Sequence, residues 1–332
     1  MRAWRLSAYD GPGALSLEEV PEPEAAPGSA VVEIGAIGLN FPDLLTTKGL
    51  YQLRPELPFI PGCEIAGVVS AAPPGAAFSP GDRVAALVAE GGFAERAVVP
   101  LGRLVALPEA MGLNEAAAML INYHTVHFAL VRRGRLLVGE TVLVLGGAGG
   151  IGTAAIQVAR ALGARVIAGV SNGSRAATAT AAGAHEVLVL GEGFSVEVRE
   201  LAGGRGVDLV LDPVGDWLFL EATRCLAPEG RILVVGFAAG EIPTVRVNRL
   251  LLNNLSVVGV GWGASLGYDE TILTTGAAAL DALYAEGSIR PPITQRFAFG
   301  SLPDALLALD RREVAGKGVI EGLAAGAVGG GR

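Results

Sequence analysis

Apolar residues in the later two thirds of the chain recur in short runs separated by stretches with helical rhythm. The runs fall at 141–145, 165–170, 186–190, 207–211, 231–236 and 255–260, each the length of a buried strand. Their alternation with helical segments predicts a doubly wound α/β domain built on a parallel sheet. Residues 1 to about 120 read differently. Short alternating segments there are broken by Pro21-Glu22-Pro23, Pro27-Gly28, Pro61-Gly62, Pro73-Pro74-Gly75 and Pro80-Gly81, which predicts an irregular antiparallel β barrel or sandwich. After the sixth run the pattern predicts a helix at 270–286, a strand at 294–298, a helix at 303–311 and a closing strand at 317–321. These are expected to rejoin the first domain. The Gly- and Ala-rich end, 324–332, is expected to fray.

The first run, Thr-Val-Leu-Val-Leu, breaks into glycines spaced Gly147-x-Gly149-x-x-Gly152, and helical rhythm resumes from Thr153. Each glycine has its own use in a nucleotide loop. The first permits a tight strand-to-helix turn, the second lets backbone approach a pyrophosphate, and the third lets helix pack on strand. The helix N-terminus adds N–H groups and partial positive charge. The spacing alone is weak in a chain with 48 glycines; the preceding strand and the following helix and strand give it meaning. Residues 141–159 carry no charge and are about long enough to span a membrane, but five glycines within 146–152 weaken a spanning helix.

Composition narrows the class. The 332 residues suit two domains. Hydrophobic residues make up 51% and aromatics 5%, so the mean hydropathy of +0.48 comes from aliphatic side chains, as buried parallel strands require. A net charge of −8 disfavours nucleic-acid binding. Two cysteines, Cys63 and Cys225, are too few for a disulfide framework and point to a reducing compartment. The N-terminus lacks the apolar core and cleavage site of a signal peptide, so a cytoplasmic location without membrane association is expected.

The chain resembles the medium-chain dehydrogenase/reductase superfamily, specifically its zinc-independent quinone oxidoreductase branch. The resemblance rests on Gly38-Leu-Asn-Phe-Pro-Asp43, Gly49-Leu-Tyr51, Pro61-Gly-Cys-Glu64, Asn122-Tyr123, the glycine loop, Asp212-Pro-Val-Gly215, Gly230-Arg231 and the string from Gly236 to Pro243. It implies a GroES-like catalytic domain at 1–122, a Rossmann NADP-binding domain at 123–262, and a return to the catalytic domain at 263–332, with the active site in the cleft between. Zinc-dependent relatives hold their catalytic metal at positions corresponding to Asn40, Cys63 and Asn122. One thiol and two carboxamides make a poor zinc site, and the stretch 88–99 lacks the cysteines of a structural zinc lobe. No zinc is therefore expected. His124 and His127, three apart, read as helix residues rather than a metal pair.

Cofactor choice follows from charge. The second strand of the nucleotide unit ends in Val170-Ser171-Asn172-Gly173-Ser174-Arg175 with no acid before Glu186. Ser171 and Asn172 donate to phosphate oxygens, and Arg175 offers a charged fork for a 2′-phosphate, which favours NADPH over NADH. An alternative role for Arg175 is a solvated helix-start residue. The resemblance further implies Thr125 at the nicotinamide amide, backbone of Gly149, Gly150 and Ile151 at the pyrophosphate, and Val214, Phe237 and Ala238 along the cofactor. Arg312 and Lys317, in an Arg-x-x-x-Gly-Lys pattern, resemble a segment returning to the cofactor; their plainer reading is surface charge around a strand.

Without a metal, such a site suits hydride transfer to a small electrophilic acceptor that spreads the arriving charge, a quinone or an α,β-unsaturated carbonyl. Asn40 and Tyr51 match family positions expected to hydrogen-bond the acceptor oxygens, with Tyr51 able to donate a proton. Asp43 and Glu64 are expected to organise the site. Two other functions stay open: an enoyl-thioester reductase or other zinc-free oxidoreductase of the same fold, and a non-enzymatic nucleotide-binding protein. The apolar run at 255–260 is expected at the edge of the sheet, pairing two copies into a homodimer.

Overall fold

The computed structural model describes residues 1–323. The expectation for 324–332 lies outside them. The chain divides into two compact units, one of Met1–Ile121 with the segment from Ile293 onward, the other Asn122–Pro292.

In the first unit, β1 (Arg2–Leu6) and β2 (Leu15–Glu19) form an antiparallel ribbon. The main sheet contains β3 (Ser29–Gly38), β4 (Glu64–Ala71), β5 (Arg83–Leu87), β6 (Arg96–Pro100) and β7 (Leu104–Ala106). Strand β3 is its centre, paired antiparallel to β4 and β6 and almost wholly buried. Trp4, Ile34, Ile37, Ile65, Phe93 and Leu306 belong to one core cluster beneath these strands, where burial contributes roughly 1.5–3 kcal/mol per large apolar side chain.

The second unit contains β8 (Thr141–Leu145), β9 (Arg165–Val170), β10 (Glu186–Val189), β11 (Val207–Asp212), β12 (Leu226–Val234) and β13 (Ser256–Gly259). All pair in parallel, in the spatial order β10-β9-β8-β11-β12-β13. Strand order therefore reverses between β8 and β11, the place where open α/β sheets bind ligands. Five of the six runs lie within about two residues of their strands. The fifth is displaced: β12 starts at Leu226, paired with Val207 across a register shift, and ends before Gly236, whose N–H turns back to the Asp212 carbonyl.

Strands β14 (Ile293–Ala298) and β15 (Lys317–Glu321) return to the first unit, β15 pairing with β3. The first-unit sheet is thus not purely antiparallel, because β14 and β15 run parallel across the connecting helix Leu302–Asp310. The return occurs at 293 rather than the expected 263. Helix Thr271–Ala285 belongs to the second unit: Gly276 lies against the His124 ring, Asp269 pairs with Arg132 at 2.8 Å, and the Arg290 backbone exchanges hydrogen bonds with Gln157. Among the described residues no helix is long and apolar enough to cross a membrane.

Candidate functional site

The second unit gathers four of the sequence-predicted groups at the C-terminal ends of adjacent strands β9, β8, β11 and β12. The glycine turn follows β8. Gly149 precedes helix Gly150–Ala161, and the Gly147 N–H donates to the Gly169 carbonyl on β9 at 2.9 Å. A Cβ on Gly152 would come within 3.0 Å of the Gly146 carbonyl, and one on Gly147 within 3.0 Å of the Ala168 side chain. Gly152 needs glycine because the turn folds onto its own backbone, and Gly147 because the turn packs against β9. Ser171 to Arg175 follow β9, with the Ser174 hydroxyl donating to Asn172 Oδ1 at 2.6 Å. At the end of β11, Asp212 is buried and its Oδ1 accepts the Val214 and Gly215 N–H groups, each at 2.8 Å. Burial raises the Asp212 pKa, and those two bonds oppose the shift. The Val214 side chain lies beside Gly146. The Ala238 N–H donates to the Pro213 carbonyl at 3.1 Å, and Phe237 packs near Gly215. Thr125 is half-buried on helix Leu113–His127.

The first unit buries a polar cluster at the end of β3. Asn40 is the N-cap of helix Phe41–Thr47, with Pro42 in the first turn and Asp43 completing a capping-box arrangement. Asp43 Oδ2 accepts the Asn40 backbone N–H at 2.9 Å, and its Oδ1 accepts the Cys63 N–H at 3.1 Å. The Asn40 side-chain amide donates to the Gly38 carbonyl at 3.1 Å and to Glu64 Oε2 at 2.8 Å. The Lys317 ammonium donates to Asn40 Oδ1 at 2.6 Å and to Glu64 Oε2 at 2.7 Å. Glu64 Oε1 accepts the Ile121 N–H at 2.7 Å. Glu64 is fully buried and Lys317 is 3% exposed.

This arrangement changes two sequence expectations. A carboxamide has two N–H donors, and both of Asn40's are engaged within the protein, so it does not donate to an acceptor oxygen while these bonds hold. Lys317 is not a surface charge: its ammonium is buried and held by Asn40 and Glu64. Arg312, by contrast, is exposed, with a left-handed φ of 57°. Glu64 and Asp43 organise this cluster, and the signal for the cap in the sequence is the Asn40-x-x-Asp43 spacing with Pro42.

Electrostatics follow from burial. Desolvation pushes the Asp43 carboxyl up to about 6, opposed by its bonds from Cys63 and Asn40 and by the Lys317 charge. The Cys63 thiol is driven well up, first by burial and then by Asp43. Tyr51, just past the helix, is half-buried; desolvation raises its phenol, and the Asp43 charge adds to the shift. The phenol therefore keeps its proton at neutral pH and can act as a donor.

The glycine-turned parallel sheet and the β-rich unit with its buried polar cluster define an oxidoreductase of the two-domain, nucleotide-binding class. The alcohol dehydrogenase GroES-like domain family matches residues 26–109 and the zinc-binding dehydrogenase family residues 150–275. The bovine quinone oxidoreductase-like protein 2 is 38% identical over 306 residues, 91% of this chain and 88% of that protein. Among solved structures, a probable oxidoreductase from Mycobacterium abscessus is 45% identical with a TM-score of 0.90, covering 97% of this chain and 99% of that one. The Thermus thermophilus quinone oxidoreductase, solved also in complex with NADPH, is 37% identical with a TM-score of 0.83, covering 97% and 100%. The chain belongs to the quinone oxidoreductase branch of the medium-chain dehydrogenase/reductase superfamily.

Proposed function

We propose that the protein is an NADPH-dependent reductase that delivers hydride to a quinone or an α,β-unsaturated carbonyl without a catalytic metal. The observation that carries this reading is the convergence of the glycine turn, Ser171 to Arg175, Val214, Phe237 and Ala238 at the ends of four adjacent strands. The residues fit the cofactor. Gly147 and Gly152 leave the turn no room for a Cβ, and the first-turn N–H groups of Gly150 and Ile151 suit a pyrophosphate. Ser171, Asn172 and Arg175 stand where an acid would select NADH, and they suit a 2′-phosphate. The NADPH complex of the Thermus relative supports the same choice. Bound there, NADPH supplies the hydride.

At the acceptor end, Tyr51 is the donor. Its raised phenol holds a proton at neutral pH, hydrogen-bonds the acceptor oxygen, and protonates the oxygen anion that hydride arrival creates. Asn40 shapes the wall beside it instead of donating.

The first-unit residues do not fit zinc. The Lys317 ammonium lies against Asn40 Oδ1 and repels a cation, and the Cys63 thiol resists the deprotonation that zinc ligation requires. A cytoplasmic location agrees with the cysteine usage. A homodimer through β13 fits its position at the sheet edge and the exposed Val257.

The test is NADPH oxidation with a panel of quinones, enones and enoyl thioesters, after dialysis against a strong chelator and elemental analysis. Turnover with quinones or enones by metal-free protein is expected. Turnover only with enoyl thioesters would move the substrate class. Stoichiometric zinc whose removal abolishes activity would refute the reading, as would no acceptor at all.

A further inference from the structure

We propose that Glu64 and Lys317 are a positioning pair: they fix the Asn40 carboxamide and, through it, the turn that holds Asp43 against the Cys63 backbone. The proposal rests on the functional reading above.

The chemistry of the four groups determines the orientation of the amide. An ammonium only donates and a carboxylate only accepts. With Lys317 Nζ 2.6 Å from one end of the Asn40 amide and Glu64 Oε2 2.8 Å from the other, the oxygen must face Lys317 and the nitrogen Glu64. Neither charge alone gives the same restraint on both ends. The remaining Asn40 N–H goes to the Gly38 carbonyl, which ties the amide to the end of β3.

The pair also joins segments far apart in sequence. Glu64 opens β4 and, through Oε1, takes the N–H of Ile121, the last residue of the first unit before the chain leaves it. Lys317 opens β15 opposite Ile293, the first residue after the chain returns. From Asn40 the connection runs through its backbone N–H to Asp43, and from Asp43 to the Cys63 N–H. Asp43, once ionised, is the group whose charge raises the Tyr51 phenol at neutral pH. A fully buried ion pair is a weak source of net stability, because desolvation offsets the attraction. Holding an amide in one orientation is a use that apolar residues of the same volume do not provide.

The test uses the whole protein and the variants Lys317→Met, Glu64→Gln and Lys317→Met/Glu64→Gln. Each single change leaves a buried group without its partner, so the double variant is the informative one: it removes both charges together. It is expected to melt near wild type, to bind NADPH within about twofold of wild type, and to lose about tenfold or more in acceptor kcat/KM, mainly in kcat. A double variant with wild-type kcat/KM would overturn the proposal. So would one that binds NADPH tenfold or more weakly with kcat unchanged, since that places Lys317 with the cofactor. Should the double variant not fold, Asn40→Ala deletes the positioned group and is expected to show the same loss in kcat with NADPH affinity kept; wild-type turnover there would overturn the proposal too. A readout independent of turnover is hydrogen exchange of the Asn40 side-chain amide by NMR. Slow exchange in wild type and fast exchange in Lys317→Met/Glu64→Gln are expected, and fast exchange in wild type would overturn the lock. Absence of any turnover by wild type would defeat the functional reading while the exchange measurement still decides this one.

Discussion

The Cα of Gly38 lies directly against the backbone carbonyl of Ala117. A side chain at Gly38 would place its Cβ within 3.0 Å of that oxygen and of the Glu64 carboxylate, so the end of β3, helix Leu113–His127 and the buried ion pair meet where only glycine fits. Gly38→Ala is expected to lower stability by about 1–3 kcal/mol through overpacking, read as a lower urea midpoint, and to lower acceptor turnover as well. An unchanged midpoint would show that the helix can move aside without cost.

Cofactor preference is expected to depend on Arg175. A charge-assisted hydrogen bond to a 2′-phosphate contributes roughly 1.5–3 kcal/mol, which is about ten- to a hundredfold in affinity. Wild type should favour NADPH in kcat/KM, and Arg175→Ala should lose that factor for NADPH while leaving NADH nearly unchanged. Equal use of both cofactors by wild type, or an unaltered ratio in the variant, counts against the phosphate contact.

Asp43 gives the fold a pH dependence of definite sign. Its carboxyl is raised from 3.8 to about 6 in the folded protein, chiefly by desolvation, so the folded state holds this proton more tightly than the unfolded chain. The resulting stability is fully present below the unfolded value and is lost as pH rises through about 6. Urea midpoints are expected to show a contribution that falls between pH 4 and 7 in wild type and is missing in Asp43→Asn. Parallel pH profiles in the two proteins would remove Asp43 from that role.

Self-association is expected to run through β13. This strand ends the six-stranded sheet, pairs on one side with β12, and exposes Val257 at 40%. Light scattering should find a dimer at micromolar concentration, and Val257→Lys should shift it toward monomer with the melting of each subunit's sheet preserved, because a charge on a free edge opposes pairing. A monomeric wild type, or a dimer indifferent to the lysine, would place the interface elsewhere.

Much of the fold was legible in the chain because its signals are local. The runs 141–145 and 165–170 coincide with β8 and β9, since a buried strand requires a nearly continuous apolar stretch that any window of the sequence displays. The glycine turn was legible for a similar reason at Gly152, where the backbone of Gly146 and Gly147, a few positions earlier, leaves no room for a side chain. The displaced start of β12 and the late return at 293 were not, because the first depends on pairing with Val207 and the second on how helix Thr271–Ala285 packs.

By itself, then, the sequence determined the strand and helix periods, the glycine turn and the acid-free end of β9, all of them set by steric and hydrogen-bonding rules acting within a few residues. Tertiary structure alone decided what Asn40 and Lys317 do. These residues are 277 positions apart, and nothing local to Arg-x-x-x-Gly-Lys distinguishes a lysine in solvent from one buried on a carboxylate. Charge and hydrogen-bond partners act over a few ångströms of space, and only the folded chain places β15 and β4 on either side of β3, so that Lys317 and Glu64 meet at Asn40.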